Sequence, residues 1–216
     1  MHKSLLKLSF FLILLGLFGC SSSKKGASKK GYEGTVDFAI SYSELPASMK
    51  GLESMLPNSQ HWAIKDGAAR VQEKTSAWGE KALIKKQNDS ESSVLIKVLG
   101  EQFLIADASD EFPTFSQVTY FKETKEIAGY KCKKAEAVIS ETAEPLVIYY
   151  TTKLPAGPFF PGMPGFPLQY QAVRQEVLMT FTATKVTPEK VADQQFEVPA
   201  RHIKITKEAL KRKFGG

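Results

Sequence analysis

The chain has 216 residues, with 29 Lys and Arg against 23 Asp and Glu for a formal charge of +6, two Cys and three His. That length allows one domain with a real hydrophobic core, while His2, His61 and His202 are too scattered to build a zinc or haem site. The basic excess sits at the ends, since residues 1–32 hold six Lys and no acid and residues 201–216 hold six basic residues against Glu208, leaving 17 basic and 22 acidic residues in 33–200. So mildly acidic a body lacks the basic stripe with interleaved aromatics that nucleic-acid binding needs, and nucleic acid is set aside as a partner.

The chain opens with His2, Lys3 and Lys7, followed by the uncharged run Leu8–Phe18 and then Gly19-Cys20. This is the layout of a secretory signal. It is too short for a membrane span, which needs roughly 20 apolar residues. Leu17-Phe18-Gly19-Cys20 resembles a bacterial lipobox, which implies that residues 1–19 are a lipoprotein signal peptide and that Cys20 carries the lipid. The membrane partner is then reached through that lipid, and the rest of the chain lies in the cell envelope. With Cys20 consumed, Cys132 is the one remaining thiol and no intramolecular disulfide is expected. Residues 20–31 are Ser-, Lys- and Gly-rich, a disordered tether whose four Lys could add attraction to anionic head groups or merely clear the membrane.

From Tyr32 the pattern has period two, with Val36, Phe38, Ile40 and Tyr42 on one face of a strand. Leu45, Met49, Leu52 and Leu56 then follow helical spacing, which predicts a short amphipathic helix over 43–56, weakened by Gly51 and stopped at Pro57-Asn58. Met49, Leu52 and Met55 are candidates to line a greasy ligand, although ordinary packing explains them as well. Short strands come next: 60–65 and 68–74 flank the hairpin signal Asp66-Gly67, 81–86 is another, and 94–99 and 102–106 flank Gly100-Glu101. Further strands are expected at 120–123, 130–140, 146–152 and 176–186. No helical period appears between residues 60 and 200, which disfavours a βαβ arrangement.

Residues 154–167 interrupt the series with five Pro and three Gly, yet contain three Phe and a Met. Disordered loops are poor in aromatics, so these rings are expected to pack. Phe159, Phe160, Met163 and Phe166 either cover one open end of the sheet or face a ligand or partner. The single domain is expected to end at residue 200. Residues 201–216 form a basic tail, frayed by default, in which Thr206 could cap a short helix through Phe214.

Tyr32–Val36, Ile127–Ala135, Tyr149–Pro155, Gly162–Tyr170 and Phe196–Pro199 together resemble the DUF4412 and GLPGLI-type lipoproteins, related to the LolA/LolB/LppX superfamily. The resemblance implies a mainly β domain over 32–200: a strongly curved antiparallel sheet or half-barrel, with the short helix and the Pro-rich loop as lids over an apolar concave face. It further implies a lipoprotein that holds a lipid or other apolar ligand, and Ser21-Ser22-Ser23-Lys24-Lys25, in place of the acidic residues that follow the cysteine in surface-exported members, favours an anchor at the outer membrane facing the periplasm. The alternative is a structural or interaction lipoprotein with a filled core that meets another envelope protein. No cofactor is expected. Catalysis is disfavoured, because no nucleophile elbow, His-Glu-x-x-His or phosphate loop occurs, and His61 has no nucleophile that spacing pairs with it.

Overall fold

The computed structural model describes residues 31–214 apart from 44, 76–78, 88, 90–91, 107–114, 116, 140–144 and 175. The signal segment, Cys20 and the tether through residue 30 therefore lie outside the described residues. Among the described residues, twelve strands form one curved, open sheet. They are β1 (Glu33–Tyr42), β2 (Ser59–Lys65), β3 (Ala68–Thr75), β4 (Gly79–Lys85), β5 (Ser93–Val98), β6 (Glu101–Ile105), β7 (Gln117–Ile127), β8 (Tyr130–Val138), β9 (Leu146–Thr151), β10 (Phe166–Arg174), β11 (Val177–Pro188) and β12 (Ile203–Lys204), followed by one helix, α1 (Lys207–Phe214).

The order β12-β6-β5-β4-β3-β2-β1-β11-β10-β9-β8-β7 resolves into two meanders, β1–β6 and β7–β11, joined where β1 pairs with β11. Every neighbour is antiparallel except β12, which runs parallel to β6. Alternation does what the sequence implies: Val36, Phe38 and Ile40 of β1 face the concave core beside Trp62 and Ile64 of β2 and Tyr170 of β10. A smaller cluster on the back face gathers Ala63, Ala82, Ile84, Leu95 and Leu104 under Val191 and Phe196.

Three local features differ from the sequence reading. The amphipathic helix over 43–56 is absent; two 3-10 turns, Ala47–Met49 and Glu53–Met55, stand in its place. Gly51 lies between them at φ 86°, which breaks the helical path, and so short a helix cannot repay its nucleation cost without a buried face. The second hairpin turns on Leu99-Gly100, at φ 49° and 83°, and not on Gly100-Glu101. Pairing of Val98 with Glu101 fixes that register, with Val98 inward and Leu99 at the tip. Finally, β10 follows the Pro-rich loop directly, where the sequence suggested no strand.

The C-terminal segment is docked. Thr206 caps α1 by accepting from the Ala209 amide at 3.1 Å, and the Phe214 ring meets Phe103 edge-on at 5.7 Å.

Candidate functional site

The Pro-rich loop folds onto the concave face. Its ends are tied by the Phe166 amide donating to the Leu154 carbonyl at 3.1 Å, and two successive turns form as the Phe160 amide donates to Gly157 at 3.0 Å and the Met163 amide to Phe160 at 3.3 Å. Gly165 permits the return, because a Cβ there would lie 2.1 Å from the Thr151 carbonyl oxygen. The prolines suit these irregular turns, where no ladder hydrogen bond is lost.

Trp62 is the receiving surface. Phe160 stacks on it at 5.8 Å and 14°, while Phe159 and Phe166 meet it edge-on at 5.7 Å and 5.4 Å. Phe160 also contacts Tyr170 at 5.1 Å, and Tyr170 stacks on Phe181 at 4.6 Å. Phe159, Phe160, Met163 and Phe166 are all buried, so the structure brings these four candidates together on the sheet. Met49 is half-buried against the same cluster. Leu52 and Met55 are not part of it, being 44% and 37% exposed.

Beside the rings lies a buried polar network that alternation alone did not flag. The Gln60 carbonyl accepts from Trp62 Nε1 at 2.5 Å and from the Tyr170 hydroxyl at 2.8 Å, and its amide donates to Glu73 at 2.7 Å. Arg174 reaches both Glu73 oxygens, at 3.1 Å and 3.2 Å. The Glu73 carboxylate is thereby paired, as a buried charge must be. Burial pushes the Tyr170 phenol well above its ordinary pKa, so it remains a hydrogen-bond donor. A sequence signal existed: Gln60 and Glu73 occupy the inward positions of strands whose other inward residues, Trp62 and Val71, are apolar.

His61 points to the opposite face from Trp62. Its Nδ1 lies 2.6 Å from Asp37 Oδ1, both groups nearly half exposed, on an open groove of about 680 Å³ also lined by Ala39, Asn58, Ser59, Gln72, Lys74 and Thr184. Thr184 falls at the register shift between β1 and β11 and donates to the Asp37 carbonyl at 3.1 Å. Cys132 is fully buried, with Sγ 3.5 Å from the Tyr130 carbonyl, and burial pushes its thiol up to about 11. Reactive thiols have the opposite shift.

No protein-family model matches the chain, so DUF4412 membership gains no support there, and no curated protein matches it. Among solved structures, PNGF-II in its P21 crystal form is similar with a TM-score of 0.54 at 15% identity, over 85% of this chain and 33% of that one. The chain thus spans about a third of the length of that protein, and at such identity the likeness is one of fold. Structural neighbours also include the lipoprotein LppX of Mycobacterium tuberculosis, with a TM-score of 0.39 at 12% identity over 74% of this chain and 89% of that one. MucB is another, at 0.36 and 13%, over 80% and 58%.

Proposed function

We propose that the chain is a lipid-anchored, non-enzymatic protein of the cell envelope, held at the outer membrane on the periplasmic side, whose half-barrel is filled by its own Pro-rich loop and which acts through surface contacts. The carrying observation is the enclosure of Trp62 by Phe159, Phe160 and Phe166. Burial of each large apolar side chain contributes about 1.5–3 kcal/mol. Three Phe and Met163 then amount to roughly 6–12 kcal/mol, comparable to the about 5–15 kcal/mol that holds a whole domain together. A loop with that stake in the core does not swing open as a lid. The anchor rests on the lipobox at Cys20.

The second reading, carriage of an acyl chain or other apolar ligand, draws on Leu52 and Met55, whose exposed apolar groups stand beside the core-facing Met49. Phe159→Ser combined with Phe160→Ser separates the two. Under the filled-core reading its melting temperature falls by more than about 10 °C, since two buried rings are lost, and native mass spectrometry of the wild type finds no lipid. Retained melting with loss of fluorescent fatty-acid binding would establish the lid and overturn the filled core.

A further inference from the structure

We infer that the docked C-terminal segment is an electrostatic contact for anionic phospholipid head groups, acting together with an anchor at Cys20. The inference rests on the envelope reading above. A basic tail that frays offers diffuse charge, whereas this one is fixed to the sheet edge. β12 pairs with β6, and the Ile205 amide donates to Leu104 at 3.0 Å. The helix turns its apolar residues inward, with Leu210 against the main core and Phe214 against Phe103. Lys213 is committed to the body, donating to Glu101 at 2.8 Å and lying 5.0 Å over the Phe103 ring.

Docking leaves Arg201, Lys204, Lys211 and Arg212 exposed along this edge. Glu208 is the sole acid in residues 201–216, while residues 33–200 carry 22 acidic against 17 basic residues. The net basic excess of the sequence beyond residue 32 therefore lies in this segment. Registers place the start of α1 at the end of the sheet where the chain enters β1, six strands away. Glu33 pairs with Lys65, Lys65 with Ala68, Ala69 with Lys85, Ile84 with Ser93, Val94 with Ile105 and Leu104 with Lys204. The chain's entry into β1 and the start of α1 consequently share one end of the sheet. A lipid on Cys20 would hold that end near a head-group layer, where each Lys or Arg is attracted within a Debye length of the surface. Charge complementarity favours an anionic lipid surface, because four exposed cations stand on this edge against Glu208 and the apolar Ile203.

The test uses the lipid-free polypeptide from Ser21 onward, which contains every described residue. It is sedimented with vesicles of phosphatidylcholine alone or mixed with phosphatidylglycerol, at low and high salt. The expected result is binding to the anionic vesicles only, weakened by salt, and at least tenfold weaker after Lys204→Glu, Lys211→Glu and Arg212→Glu together. A triple Gln variant serves if charge reversal unfolds the chain, and its binding should fall between the two. Equal binding to neutral vesicles, undiminished binding by either triple variant, or tighter binding to a single-stranded RNA than to the vesicles would overturn the inference. Since no lipid on Cys20 is used, failure of anchoring in cells and failure here are separate outcomes.

Discussion

Gln60 satisfies three neighbours at once: Trp62, Tyr170 and Glu73. Gln60→Leu removes the acceptor of the Trp62 and Tyr170 donors and leaves Glu73 to Arg174 alone, at a cost of about 1–3 kcal/mol for each buried group left unsatisfied. Urea unfolding should accordingly put it below Glu73→Gln, which keeps an acceptor for Gln60 and leaves a half-exposed Arg174 to find water. Equal midpoints would mean that the network does not hold the core. Cys132 offers a different check. With its thiol buried and pushed up to about 11, a disulfide reagent at pH 8 should leave the folded polypeptide from Ser21 unmodified and titrate one thiol after denaturation. Rapid reaction of the folded chain would place the thiol at the surface.

The hairpin turns mark how far local sequence carries. Asp66-Gly67 adopts φ 49° and 80°, and Asp-Gly announces that turn because both residues tolerate positive φ. Leu99-Gly100 and Ala128-Gly129 adopt nearly the same angles, but neither Leu nor Ala advertises them. The register of the flanking strands imposes the turn, and that is information held by pairing, not by the dipeptide. Leu99 is 85% exposed, so its side chain buries nothing in return for a strained backbone. Leu99→Asn should therefore raise stability by about 1 kcal/mol, read as a melting temperature some 2–4 °C higher; no gain would indicate a hidden contact at the tip. The failed helix over 43–56 has the converse cause. Its spacing was suitable, but Leu52 and Met55 found no surface to cover, and apolar period counts only when a face is buried. β10 was hidden because Pro167 disturbs its pairing with β9, where the register shifts between Pro167 and Gln169.

At the scale of the molecule, the aromatic loop was legible as something that packs, since three Phe among five Pro have no business in solvent. What it packs against was not legible, because Trp62 and Phe160 meet only through the curvature of the sheet. The same closed core sets the response to alkali. Tyr32 and Tyr42 are each pushed up to about 12 and Cys132 to about 11, burial being the first cause, and Tyr170 goes well above 10. The folded state thus keeps protons that the unfolded chain releases at the ordinary values, 9.0 for the thiol and 10.0 for the phenols. Their contribution is fully present below pH 9 and is lost as pH rises toward 12. Melting should hold steady to about pH 8 and decline above pH 9, with part of the tyrosinate absorbance appearing only on unfolding; titration of all seven phenols before any loss of structure would contradict the burial of these three. A last consequence follows from pairing the first strand with the eleventh, and it concerns time. Thr35 meets Glu189 from 154 positions away, and Trp62 waits for Phe160 while roughly 100 further residues are made, on the order of 5–20 s of synthesis. During that interval the first meander presents an uncovered aromatic trough and a bare β1 edge, until its own loop arrives to cover them.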